Sequence, residues 1–335
     1  MGRYDDILIF LYGTSPAGPF TYMENSPVSY KPTGFIGGAG HGCIFTAGSE
    51  NYWKAATNSI SVRHMFERRV SFYPSGFDKD GYLFTNTYLG DYPMFLPGGK
   101  EQIAGEYQPG WMLLSYGKKV SVSSSLEGYP AENIVDEDAR TAWVAQSNRD
   151  MEWAQVDLQR LSSIHAIQVN FADYNFNVHA PHDPVVYQYY IEGSTNGKDW
   201  TRLVDEEKNL QDAPHKLHTL NVPAKVQYLK ICNTKDMEGS FSLFDLRVFG
   251  QGGGKVPAEV TGFQASRDNN DKRIYRFTWN PQENVTGYIL RWGTQKEKLT
   301  HSMVVYENQY EARYFNRDSE YYFSMSAFNE NGVGK

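Results

Sequence analysis

Ile167-Gln168-Val169-Asn170-Phe171 decides the fold class. Its apolar side chains fall at every second position, and Gln168 and Asn170 fill the alternate ones. A period of two puts one face on a core and the other toward polar surroundings, which describes a β-strand and not a helix. The alternation returns in Tyr275-Arg276-Phe277-Thr278-Trp279, and again at Tyr288, Leu290 and Trp292. Turn signals such as Asp80-Gly81 and Asn196-Gly197 punctuate these runs. No long stretch keeps a helical period of 3.6. The chain of 335 residues is therefore expected to be all-β.

Composition agrees. There are 24 Tyr, 19 Phe, 7 Trp and 30 Gly, a mixture suited to strands and tight turns. Apolar residues at 40% and charged residues at 21% exclude disorder. A net charge of −7 repels phosphate backbones and excludes a general nucleic-acid binder. Cys43 and Cys232 alone cannot make a disulfide framework or a four-cysteine zinc site. No apolar run approaches the roughly 18 residues that span a bilayer. Ile7 to Tyr12 is short and follows Asp5-Asp6, so it reads as a strand rather than a signal peptide. An export signal is expected to lie outside this chain.

Two stretches divide the sequence. Gly98-Gly99-Lys100 through Pro109-Gly110 is poor in strand formers, and Gly250-Gln251-Gly252-Gly253-Gly254 before Pro257 is a flexible linker. The expected organisation is a module over 1–100, a linker over 101–116, a module over 117–250, a linker over 251–256 and a module over 257–335.

The middle module carries the most specific order. Val120-Ser121-Val122-Ser123-Ser124-Ser125 is followed by Asn133-Ile134-Val135-Asp136-Glu137-Asp138-Ala139-Arg140-Thr141-Ala142-Trp143. Then come Trp153-Ala154-Gln155-Val156-Asp157-Leu158, Glu192-Gly193-Ser194-Thr195-Asn196-Gly197-Lys198-Asp199-Trp200 and Asp245-Leu246-Arg247-Val248-Phe249-Gly250. This order resembles the coagulation factor 5/8 type C, or discoidin, domain, whose sugar-binding members form carbohydrate-binding module family 32. The resemblance implies an eight-stranded jelly-roll sandwich. Trp143, Trp153 and Trp200 are expected to anchor its core. Asp136, Asp138, Thr141 and the distant Asp245 offer hard oxygen donors, and the resemblance implies a structural calcium there. Glu137 stands where relatives often have Gly, and Asp245 where many have Glu. The competing reading is an Asp-rich turn capped by Thr141.

The loop from Ala172 to Pro184 is polar but holds Tyr174, Phe176 and His179. An exposed ring can stack on a sugar while His and Asn hydrogen-bond its hydroxyls. The alternative is a loop folded on its own aromatics. Arg149, in the loop before Trp153, is a further candidate sugar contact. His179 and His182 with Asp173 or Asp183 could also ligate a metal, although spacing alone is weak evidence.

In residues 257–335, Trp279, Gly287-Tyr288-Ile289-Leu290 and Glu320-Tyr321-Tyr322-Phe323 resemble a fibronectin type III domain. That implies a core Trp279, a tyrosine corner at Tyr321, a spacer role and a truncated last strand. Toward the amino terminus, Ser15-Pro16-Ala17-Gly18-Pro19-Phe20, Gly37-Gly38-Ala39-Gly40-His41-Gly42 and Phe77-Asp78-Lys79-Asp80-Gly81 resemble the last part of the five-bladed propeller of glycoside hydrolase family 43. About two blades are covered. The resemblance implies calcium ligation by His41 at the propeller axis; a hydrogen-bonded core histidine is the alternative. Arg69 is a candidate active-site contact or the ion-pair partner of Glu67. Asp78 and Asp80 read as turn chemistry. The family's catalytic carboxylates come from earlier blades, so no catalytic residue is assigned and enzymatic competence of this chain stays open.

The expected function is that of the carboxy-terminal portion of an exported, multimodular, inverting glycoside hydrolase of the arabinosidase, xylosidase or galactosidase class, held on its glycan by the discoidin module. The alternative is a lectin-like adhesin without catalysis. Asp and His in the 172–184 loop disfavour membrane binding, for which relatives expose apolar spikes beside basic residues.

Overall fold

The computed structural model describes residues 11–47, 52–60, 68–78, 80–94, 109–148, 151–176, 185–235 and 239–334. The all-β expectation holds: the described elements are strands apart from one 3-10 turn at Ala131–Val135. Contacts divide the chain into two compact units. One comprises Met1–Pro109, Val256–Asn329 and Val333–Lys335; the other comprises Gly110–Lys255 and Glu330–Gly332.

The first unit starts with the short pair β1 (Leu11–Tyr12) and β2 (Thr21–Tyr22). A four-stranded antiparallel sheet follows in chain order, from β3 (Gly37–Thr46), β4 (Tyr52–Ser59) and β5 (Arg68–Phe77) to β6 (Leu83–Thr85). The glycine run in β3 has a steric reason: a Cβ on Gly42 would lie 1.8 Å from the carbonyl oxygen of Ala55. The β3–β4 register breaks between Gly38 and Gly42. There Ala39, at φ 69, is wrapped by polar groups. Its carbonyl accepts from buried Lys54 at 2.5 Å and Ser29 at 2.7 Å. Its N–H donates to Asn58 Oδ1, which also accepts from the Tyr73 hydroxyl at 2.8 Å. Burial holds the Tyr73 phenol above its ordinary range. The opposite face of the sheet leaves Cys43, Phe45, Val70 and Phe72 exposed.

The second unit contains β7 (Met112–Leu113), β8 (Lys119–Val122), β9 (Trp143–Val144), β10 (Trp153–Phe171), β11 (Tyr189–Ser194), β12 (Thr201–Asp205), β13 (His215–Asn233) and β14 (Ser242–Gln251). β10 and β13 are long and pair with each other in three stretches, with register shifts between Asp157 and Ser162 and between Ile164 and Ala166. The first stretch of β10 also pairs with β8, and the later two with β14. These bends carry one ladder around both sides of a sandwich core. Ala154, Val156, Leu158, Ile167, Val169, Phe171, Leu229 and Ile231 fill that core with Trp143.

The structure corrects the tryptophan expectation. Trp143 is a core residue, but Trp153 and Trp200 are half-buried outside the cluster. Period two explains it: Ala154 and Val156 take the core side, which turns Trp153 outward. Lys230 Nζ lies 4.1 Å from the Trp200 ring.

The carboxy-terminal part forms a three-stranded sheet of β15 (Gln264–Arg267), β16 (Tyr275–Thr278) and β19 (Gln309–Ala312). A four-stranded sheet has the order β18 (His301–Val305), β17 (Gly287–Gly293), β20 (Tyr322–Asn329) and β21 (Gly332–Val333). Phe277, Trp279, Leu290 and Trp292 lie in one buried cluster. The Tyr321 hydroxyl accepts from the Asn316 N–H at 3.1 Å.

This part belongs to the same unit as residues 11–94. All five residues of β18 are buried. His301 Nε2 lies 2.8 Å from the Pro27 carbonyl oxygen, and its ring stacks on Trp292. Asn316 Nδ2 donates to the Glu24 carbonyl at 2.8 Å, and Tyr30 meets Tyr314 at 4.3 Å between centroids. A free spacer would leave these side chains wet. Here they pack against the segment from Tyr22 to Thr33.

Candidate functional site

Four loops of the second unit meet at one end of the sandwich. The Trp143 indole donates to the Ser124 carbonyl at 3.0 Å, and the Ala145 N–H donates to the Phe241 carbonyl at 2.9 Å. The Ser240 N–H donates to the Tyr174 carbonyl at 3.0 Å, while the Tyr174 N–H donates to Ser242 Oγ at 3.1 Å. Segments 123–130, 144–148, 172–176 and 239–242 are thus stitched together. Gly239, at φ +75, permits the approach: a Cβ there would fall 2.2 Å from the Tyr174 carbonyl oxygen and 2.4 Å from the Phe176 ring.

The two loop aromatics separate. Phe176 is half-buried, packs against the core and stacks at 6.4 Å on Tyr187. Tyr174 is half-buried too, but lies against Tyr129, 5.0 Å away and edge-on. Neither Tyr129 nor Gln146 is signalled by the sequence pattern. Gln146 is exposed beside Ser124 and Ser125 and donates to the Ser125 carbonyl at 3.2 Å. Asp173 Oδ1 accepts from the Tyr187 hydroxyl at 2.7 Å, a structural engagement. Arg149, His179, His182 and Asp183 lie outside the described residues.

Beneath these loops sits Glu152, which no motif in the sequence marks. Its carboxylate accepts from Ser123, from Ser124 at 2.9 and 3.0 Å and from Ser147 at 2.6 Å. Burial alone would raise its pKa, but the serine hydroxyls outweigh it and the carboxyl titrates below its ordinary range. The available signal was the triplet Ser123-Ser124-Ser125, whose donors need an acceptor.

The second cluster joins the turn of residues 136–141 to β14. Asp136 Oδ1 accepts from the Asp138 N–H at 2.9 Å, and Oδ2 from the Thr141 hydroxyl at 2.6 Å. Asp138 holds Arg140 through both its oxygens, at 2.8 and 2.6 Å. These are the bonds of a capped Asp-rich turn. Asp245 differs. It is buried, Oδ2 accepts from the Glu137 N–H at 3.1 Å, and Oδ1 has no hydrogen-bond partner among the described residues. Burial first, and the Glu137 carboxylate next, hold its pKa well above the usual carboxylate range, against the pull of Arg247. An orphaned, buried carboxylate oxygen fits a hard cation by chemistry. Among the described residues, however, no three His, Cys, Asp or Glu side chains converge as a metal site. Loop carbonyls would have to complete the coordination.

Other expected positions are apart from both clusters. His41 is exposed on β3, and Arg69 is exposed on β5 opposite Asn58. Glu67 lies outside the described residues. Asp78 Oδ1 accepts from the Asp80 and Tyr82 N–H groups at 2.9 Å, which is turn chemistry. No helix among the described residues is long and apolar enough to cross a membrane.

No curated protein sequence matches the chain significantly. Among solved structures, chitosan-binding module 1 of a Paenibacillus sp. IK-5 chitosanase/glucanase is similar at 18% identity and TM-score 0.34, covering 42% of this chain and 99% of that one. The family 32 carbohydrate-binding module of C. perfringens NanJ, solved with galactose, is similar at 20% identity and TM-score 0.33, covering 42% and 98%. The lectin domain of lectinolysin, solved with Lewis B antigen, is similar at 18% identity and TM-score 0.33, covering 41% and 96%. Residues 119–245 match the F5/8 type C family, and this middle stretch of the chain is an F5/8 type C domain.

Proposed function

We propose that this chain is the glycan-binding, carboxy-terminal portion of an exported multimodular glycoside hydrolase, and that its F5/8 type C domain holds the sugar. The observation that carries the reading is the loop end built around Tyr174. Its ring leans on Tyr129 beside the serine and glutamine groups of two further loops. A ring held at a loop end can stack on the apolar face of a pyranose while neighbouring polar groups hydrogen-bond its hydroxyls. Arg149 and His179 belong to the same loops by sequence and complete the proposed contact set. Phe176 supports that loop from below.

The enzymatic context rests on the resemblance of residues 12–81 to the last propeller blades. A four-stranded antiparallel sheet such as β3–β6 is the unit that a propeller repeats, which supports it. No carboxylate in the chain is assigned to catalysis. The turn bonds of Asp78 support the lectin-like alternative equally, in which binding is the whole activity. Calcium is proposed at Asp245 and Asp136, where it would supply positive charge. A second calcium at His41 rests on resemblance alone.

A glycan array probed with the full chain tests the binding reading. Retention of galactose- or N-acetylglucosamine-terminated glycans is expected, with affinity reduced about tenfold or more by Tyr174→Ala at unchanged melting temperature. No retained glycan, or full binding by Tyr174→Ala, Arg149→Ala and His179→Ala, would overturn it.

A further inference from the structure

Glu137 has a left-handed backbone, φ 60, the conformation that favours glycine. An outlier of this kind persists where its surroundings require it, so it asks for a reason. The reason is in its side chain. The buried Glu137 carboxylate meets Arg247 fork to fork, Nε donating to Oε1 at 2.6 Å and Nη2 to Oε2 at 3.0 Å. Arg247 is wholly buried, gives Nη1 to Gln168 Oε1 at 2.9 Å and lies 4.9 Å from the Phe249 ring centre. The same Glu137 gives its N–H to Asp245 Oδ2. One residue is thereby tied through backbone and side chain to two positions of β14.

We infer that the Arg247–Glu137 pair is an internal cation bridge, holding the loop of residues 131–141 on β14 without a metal ion. Asp245 Oδ1 is left as the position to which a metal would add. A planar guanidinium matched to a carboxylate is geometrically specific and needs no ion from solution. Because the pair is buried, removing either member strands the other as an uncompensated charge. The inference is independent of the sugar reading.

Hydrogen exchange followed by mass spectrometry on the full chain tests it, in chelator and in excess calcium. Three proteins are compared: wild type, Glu137→Gln and the double variant Glu137→Gly with Arg247→Met. Peptides from β10 and β13 report whether the domain has folded. Arg247→Lys, which keeps the charge but not the fork, serves if the others fail to fold. In wild type, exchange over 131–141 is expected to be equally slow in both conditions. In folded variants it should quicken in chelator by about tenfold or more, whether or not calcium restores it. Loss of protection by wild type in chelator would show that a metal alone holds the loop. Unchanged protection in the variants would show that the pair is idle. Either result overturns the inference.

Discussion

The F5/8 type C domain and the β3–β6 sheet are made of the same kind of strand, yet among the described residues one closes and the other stays open on a face. In the domain, β10 and β13 bend and pair along three stretches, so a single ladder wraps both sides of the core. In the sheet, four strands run in simple chain order, with Phe45 and Phe72 in contact on the surface at 6.0 Å. Alternation gives a strand an apolar side; closure needs a second layer to cover it. The sheet's unit takes a further layer from far along the sequence, where β18 and its neighbours pack on residues 22–33.

The strongest way to break the comparison is Trp143→Ala. The ring is fully buried, crosses Phe241 at 5.5 Å and spends its N–H on Ser124. Its loss should cost about 4 kcal/mol. Thermal melting should show the transition of the closed domain falling while the other unit's transition keeps its place. A common shift of both would argue against separate units.

The second test concerns the borrowed layer. Burial lowers the His301 pKa from 6.5 to about 4, although its carbonyl partners pull the other way. The unfolded chain therefore binds this proton at a higher pH than the folded one. Stability is complete above pH 6.5 and drains away as pH falls through that value toward 4. Up to roughly 3 kcal/mol is at stake. Denaturant titrations of the first unit across this window should show the loss, and His301→Gln should flatten it. A window unchanged in that variant assigns the proton elsewhere.

Glu152→Ala should have a smaller effect, about 2 kcal/mol, by stranding the serine hydroxyls around it. The carboxyl titrates low, so its contribution is present above its unfolded pKa and disappears only in acid as pH falls through the folded value. Faster exchange confined to residues 123–125 and 144–148 would confirm that it ties these loops. Phe72→Thr on the open face should be the mildest, within about 0.5 kcal/mol. A large loss there would mean that the face is covered in solution.

The domain was legible in the sequence, since the order of landmarks from Val120 to Gly250 names it. The loop holding Tyr174 and Phe176 is a candidate that the same sequence offers. Where each ring packs was not legible, because two aromatics two residues apart look alike until Phe176 stacks on Tyr187 and Tyr174 meets Tyr129. Glu152 was hidden for the same reason: its serine partners lie 28 and 29 residues before it and five residues before it.

The sequence by itself determined the all-β class, since a period of two permits no other regular structure. It also determined the identity of the F5/8 type C stretch and the absence of a disulfide framework. Tertiary structure alone decided what covers the second face of each strand. Of Gln168 and Asn170, the polar side of the strand that set the fold class, Asn170 is buried and Gln168 half-buried. Gln168 accepts from buried Arg247, and Asn170 donates to the Asp245 carbonyl. A strand's pattern records which side chains share a face. Only the packing of the 131–141 loop, which brings Glu137 to Arg247 across 110 residues of sequence, decides whether that face is wet.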